Sequence, residues 1–209
     1  MGHIEFDPSE FEGREGYFFM TSLVVPRPIA WVSTLSLDGV RNLAPHSYFN
    51  AISSDPIVIH FTSTGVKDTL RNVEATGEFV VNVVRAPLAE AMNTTAANFP
   101  PDEDEFAWAE LDAAPAKTVA PPRVAEAAAC FECAVNQIVH IGNGHMVFGD
   151  LKHLAVSEAV MRDGRVAPDL LDAVGRMGGS WYTRTATDLF KMVRPTYEDV
   201  KADAGEGAG

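Results

Sequence analysis

Hydrophobic and polar residues alternate in short runs along this chain, and the runs are punctuated by turn residues. Ile29 to Leu37 alternates and stops at Asp38 and Gly39, a hairpin signal, and a second strand resumes from Val40 to Ser47. Ile57 to Thr62 is a β-branched run that ends in Ser63, Thr64 and Gly65. The next stretch changes period: Lys67 to Thr76 reads as a helix with Leu70 and Val73 inward, stopped by Gly77, and Glu78 to Val84 returns as a strand. Pro87 suits the first turn of a second short helix carrying Leu88 and Met92, while Pro100 to Glu105 lacks periodicity and reads as a solvated acidic loop. Phe131 to Ile141 and His145 to Val156 flank Gly142, Asn143 and Gly144, so two antiparallel strands should pair there. Asp163 and Gly164 form another turn, and Asp169 to Val174 a short helix. Gly175, Gly178 and Gly179 permit close backbone approach near Trp181 and Tyr182, and the polar, glycine-rich tail from Lys201 onward (201–209) reads as mobile.

Many short strands broken by brief helices suit a mainly β protein closed as an antiparallel barrel of Greek-key type better than a doubly wound sheet. No G-x-G-x-x-G follows a strand, which speaks against a Rossmann nicotinamide domain. At 209 residues and 46% hydrophobic content, one domain over 1–209 is expected. The formal charge of −13 disfavours nonspecific binding to nucleic acid or to an anionic membrane. Any anionic ligand therefore needs a local cluster of cations, for which Arg27, Lys67 and Arg71 are available. The first residues do not read as a secretory signal, and no apolar stretch is long enough to span a bilayer, so a cytoplasmic protein is expected. Cys130 and Cys133 are spaced as C-x-x-C, but on a strand a three-residue offset sends them to opposite faces, which argues for two structural thiols.

Chemistry concentrates between Asn42 and Asn72. Hydroxyls, Gly65 and Lys67 gather where a helix begins, and free N–H groups with the helix dipole favour a dianion there. Just upstream, Ser47 to Ser53 offers small and amide-bearing residues whose backbone can approach a flat ring. The plainer alternative is a capped helix after an ordinary strand. The histidines His3, His46, His60, His140 and His153 are dispersed, so no metal is expected, and no G-x-S-x-G elbow supports a hydrolase.

The segments RPIAWVSTLSLDG (Arg27 to Gly39), NLAPHSYFNAISSDP (Asn42 to Pro56), KDTLRN (Lys67 to Asn72) and TGEFVVNVV (Thr76 to Val84) together resemble the flavin reductase-like family. The likeness continues through LAEAMNTTAANFPPDEDEF, PPRVAEA, GHMVFGDL and GRMGGSWY and covers about residues 14–185. It implies an FMN-binding split β-barrel, a homodimer, and reduction of the flavin by NADH or NADPH bound over it in an open cleft. It also assigns residues. Ser63, Lys67, Asp68 and Thr69 fall at the flavin phosphate end, with Asp68 capping or orienting, and Arg27 near the phosphate or ribityl chain. Ser47, Asn50, Ala51 and Ser53 line the isoalloxazine edge, and Tyr182 with Trp181 covers the flavin or packs in core or interface. His145 is implied as the catalytic candidate facing flavin and nicotinamide; its alternative is a surface turn histidine. Two functions remain open: an NAD(P)H-dependent FMN reductase, which can serve as the reductase component of a two-component monooxygenase, and a flavin-holding electron carrier for a protein or metal-complex acceptor. Ligand binding without a cofactor is a more distant third.

Overall fold

The alternating runs become paired strands in the computed structural model, which describes residues 2–206. Helix α1 (Glu15–Leu23) precedes β1 (Arg27–Pro28), β2 (Ala30–Leu35), β3 (Arg41–His46), β4 (Phe49–Ser54) and β5 (Ile57–Thr64). Helix α2 (Asp68–Thr76) leads to β6 (Glu78–Val83), α3 (Ala89–Thr94) and α4 (Glu105–Trp108), and β7 (Ala113–Ala114) pairs with β8 (Arg123–Val124). A long hairpin, β9 (Ala129–Ile141) with β10 (Gly144–Val156), is followed by a small one, β11 (Met161–Arg162) with β12 (Arg165–Val166). The chain ends in α5 (Pro168–Leu171), β13 (Val174–Arg176), β14 (Tyr182–Arg184) and α6 (Tyr197–Glu206). Helix α6 occupies the first part of the tail that composition reads as mobile; residues 207–209 lie outside the described residues.

Seven strands form one antiparallel sheet in the order β3-β2-β6-β9-β10-β5-β4. The expected closed barrel is corrected here: the hydrogen-bonded ladder ends at β3 and β4 and does not join them. Yet β3 and β4 are linked by only Ser47 and Tyr48, so the two edges must approach and the sheet is rolled. The contact across the split is made by the His46 ring of β3, 4.9 Å from that of Phe61 on β5, while the Thr62 N–H donating to the Tyr48 carbonyl at 2.8 Å carries the β4–β5 pairing one step into the link.

Strand β2 is buried on both sides because it separates two cores. Ala30 and Val32 face the inside of the roll with Phe61, Phe79, Cys133 and Val147, and α2 plugs that space with Leu70 and Val73. Ile29 and Trp31 face the other way, against Met92 of α3, Phe106 of α4 and Val174. Helix α2 stops as its sequence requires, with Gly77 left-handed at φ 73°. Cys133 lies in the inner core whereas the Cys130 Sγ meets Asn82 Oδ1 at 3.3 Å, so the two thiols point to different faces as expected. Burial raises them to about 11 and about 12 for Cys130 and Cys133, which keeps both protonated and inert.

Among the described residues Glu132 on β9 is the carboxylate with complete burial, at 0% exposed. Burial alone would raise its pKa, but bonds from the Thr118 hydroxyl and N–H, the Lys117 N–H and the Arg123 guanidinium outweigh that and bring it down to about 2. A pKa lowered by folding gives stability that is present above the ordinary value near 4.5 and is lost as pH falls toward 2. Glu132→Gln should therefore cost about 2 to 3 kcal/mol at pH 7, and urea unfolding should show the gap to the native chain narrowing toward pH 3. A gap independent of pH would contradict this account of the carboxylate.

Candidate functional site

A cleft of about 600 Å³ opens where the sheet is split, within the range of small-ligand sites. Its walls come from α1, the ends of β3 and β5, the start of α2, the segment after α3 and the β13–β14 turn. Arg27 ties three of these walls together. Its guanidinium, buried with the residue 7% exposed, donates Nη1 to the carbonyls of Thr21 (2.5 Å) and Val24 (2.6 Å) on α1 and its C-terminal cap. Nη2 donates to the Met177 carbonyl at 2.9 Å in the β13–β14 turn, and Nε reaches Ser47 Oγ at 3.5 Å. That turn can lie so close to α1 only because residue 178 is glycine, where a Cβ would meet the Ser22 Oγ at 2.6 Å.

The start of α2, where the sequence leads to the expectation of a phosphate, opens onto this cleft. Lys67 is the N-cap residue, exposed and facing the cleft, and no side chain caps the helix, which leaves the first-turn N–H groups open toward the cleft. Lys67 makes no salt bridge among the described residues, whereas Arg71 pairs with Asp68 one turn on. Five cationic lining residues, Arg14, Arg27, Lys67, Arg71 and Arg176, stand against the two acids Asp68 and Glu105. In a chain of formal charge −13, this is a local reversal of sign.

The floor of the cleft is a buried polar chain. Glu105 accepts from Asn42 Nδ2 at 2.8 Å and from the Leu43 N–H at 3.1 Å; Asn42 Oδ1 accepts from the hydroxyls of Thr69 (2.9 Å) and Thr34 (3.1 Å). His46 Nε2 lies 3.3 Å from Thr69 Oγ1, and burial first, then the charge of Lys67, lowers its pKa to about 4. His46 is thus neutral at physiological pH and adds no charge beside Lys67. Burial also raises the Glu105 carboxyl.

Of the residues expected in the site, Arg27, Ser47, Lys67, Asp68, Thr69 and Tyr182 line this cleft together. Thr69 does so with its hydroxyl already donated to Asn42, leaving its backbone N–H as the group available to an anion. Asn50 and Ala51 are exposed, and Ser53 half-buried, on edge strand β4, outside the cleft lining. Ser63 is buried and its hydroxyl donates to the Gly65 carbonyl at 2.9 Å. His145 stands opposite Ser63 in the β5–β10 ladder, and its Nδ1 lies 2.6 Å from that of His140 on β9. The turn before it adjoins the cleft's rim, since the Gly65 N–H donates to the Asn143 carbonyl at 2.9 Å. Tyr182 lies under Arg176, whose guanidinium is 4.5 Å from the ring centroid and donates to its hydroxyl.

Sequence reasoning missed α1, which brings Arg14 and Tyr17 to the cleft, and it read Glu105 as part of a solvated loop. The acidic run corrects accordingly: Asp104 caps α4 and pairs with Arg41, and Glu105 is 5% exposed.

A rolled, split antiparallel sheet with a cation-lined cleft at the split defines a small β protein suited to an anionic ligand. The chain belongs to the flavin reductase like domain family, whose model matches residues 20–178. It is 38% identical over 210 residues to an uncharacterized protein of Deinococcus radiodurans, covering 94% of this chain and 92% of that one. Among solved structures, nitrilotriacetate monooxygenase component B from Bacillus cereus is 30% identical with a TM-score of 0.88, covering 92% of this chain and 100% of that one. The 2-nitrobenzoate 2-nitroreductase NbaA of Pseudomonas fluorescens is 32% identical with a TM-score of 0.86, covering 93% and 98%. The family and these two solved structures support an oxidoreductase of the flavin reductase-like class. Among the described residues no helix is long and apolar enough to cross a membrane.

Proposed function

We propose that the cleft binds FMN and that the protein is an NAD(P)H-dependent FMN reductase, acting as a cytoplasmic homodimer that supplies reduced flavin to a separate monooxygenase. The observation that carries this reading is the unpaired Lys67 beside the uncapped start of α2, facing a cleft rich in cations. Bound there, FMN would supply the two-electron redox chemistry that the lining side chains lack. Lys67 and the first N–H groups of α2 hold the phosphate, with Asp68 orienting Arg71. Ser47 and the adjoining backbone meet the polar edge of the ring, while Arg27 fixes the walls and has few donors left to give. Tyr182 and Arg176 form the opposite wall. The family pattern also assigns Asn50, Ala51 and Ser53 to the ring edge and Ser63 to the phosphate end, but none of the four lines the cleft and the Ser63 hydroxyl is donated to the Gly65 carbonyl, so no contact with FMN is proposed for them.

A second reading keeps FMN bound and passes its electrons directly to another acceptor, and the likeness to a nitroreductase favours it. One steady-state assay separates the two. Purified protein that is colourless, and that oxidises NADH or NADPH only when FMN is added, is expected for the reductase. Yellow protein that retains FMN through purification supports the second reading, and no nicotinamide oxidation with either flavin state rejects both.

His145 is assigned to the hydride-transfer side. From its place on β10, next to the cleft's rim but outside its lining, His145→Asn should slow reduction of bound FMN several-fold while FMN affinity stays within about twofold. Stopped-flow reduction separates the two effects. Native rates in the variant would return His145 to a turn residue paired with His140.

A further inference from the structure

Two apolar surfaces of this chain lack a partner. Beside α1 lies an open groove of about 630 Å³ lined by Phe6, Phe11, Phe19, Met20 and Leu23, with ring centroids of Phe11 and Phe19 5.1 Å apart. Leu23 is 77% exposed. At the other end of the chain, Leu189–Pro195 has no regular structure and makes no backbone–backbone hydrogen bond among the described residues. Its Phe190, Met192 and Val193 are 80% or more exposed. Apolar patches this concentrated mark interaction sites.

We propose that Leu189–Arg194 of one copy of the chain seats in the aromatic groove of a second copy, in a reciprocal arm exchange. The proposal rests on the homodimer put forward above. Charge argues for this pairing: residues 2–13 carry Glu5, Asp7, Glu10 and Glu12 and no Lys or Arg, while the arm interleaves Lys191 and Arg194 with its apolar residues. Both surfaces exist on every chain, so two exchanges related by a two-fold axis cover all four and close the assembly. Within one chain neither surface covers the other. The exchange bears on the flavin site because Tyr17 lines the groove and the cleft alike, so an arm seated on one braces a wall of the other.

The test is disulfide trapping in the full-length, FMN-loaded protein. The native thiols Cys130 and Cys133 are buried and do not compete. Leu23→Cys with Phe190→Cys should, on mild oxidation, run at twice the chain mass of 22.6 kDa without reductant. Leu37→Cys with Phe190→Cys, using an equally exposed residue on the β2–β3 turn, should not. A bridge formed inside one chain would overturn the exchange by showing that the arm covers its own groove. Equal bridging in both pairs, or none, in a protein that light scattering shows to be a dimer would overturn the arm and leave the homodimer standing. A monomer by light scattering would overturn both. As a second readout, Phe190→Asp with Met192→Asp should dissociate the dimer and lower FMN affinity, and a dimer with unchanged affinity would contradict the bracing role.

Discussion

Arg27→Ala should cost about 3 kcal/mol or more of folding stability and abolish measurable FMN binding. The size follows from what the side chain leaves behind. Three carbonyls, of Thr21, Val24 and Met177, lose a charged donor in a place where little water can replace it. They belong to α1 with its cap and to the β13–β14 turn, so their separation opens the cleft from two sides. Arg27→Lys should recover little, because one ammonium cannot reproduce a planar fork that reaches separate acceptors. Urea unfolding of the native and variant chains gives the stability change, and flavin fluorescence gives the binding. A variant of native stability would mean that the Arg27 bonds are dispensable to the fold.

Lys67→Ala should weaken FMN binding by about tenfold or more and leave the fold intact, because an exposed N-cap residue with no salt bridge among the described residues supports no packing. The expected loss is that of one charge-assisted contact, about 1.5 to 3 kcal/mol. It should shrink as salt rises, since the ammonium is solvent-facing. Unchanged affinity in a folded variant would move the phosphate to Arg14, Arg71 or Arg176.

The helix α2 and the long β9–β10 hairpin were legible because single residues determine them: Gly77 must take a left-handed conformation and Gly142 a tight turn. The cleft wall at the start of α2 was legible for the same reason, since the start of a helix and a lysine are local features. The floor and side walls were not. His46, Asn42 and Glu105 meet only when α4 folds against β3, and nothing local distinguishes a buried glutamate from its solvated neighbours in an acidic run. Helix α1 was missed because apolar residues lie all around it and erase the period. Ser63 shows a signal that could have been used. Alternation along β5 puts it on the face of Ile59 and Phe61, inside the roll, and turns Thr62 and Thr64 toward the cleft. The closed barrel was over-read: patterning specifies strands and faces, whereas closure depends on whether β3 and β4 pair, and they do not, although only Ser47 and Tyr48 link them.

The central claim is that the cleft recognises a flavin through its phosphate, and parallel titration of the native protein with FMN and riboflavin tests it most directly. Both ligands carry the same ring and ribityl chain and differ in the dianion that Lys67 and the start of α2 are placed to hold. FMN should bind at least tenfold more tightly at moderate salt, and the advantage should largely vanish in Lys67→Ala. Equal affinity for the two ligands in the native protein would contradict the account.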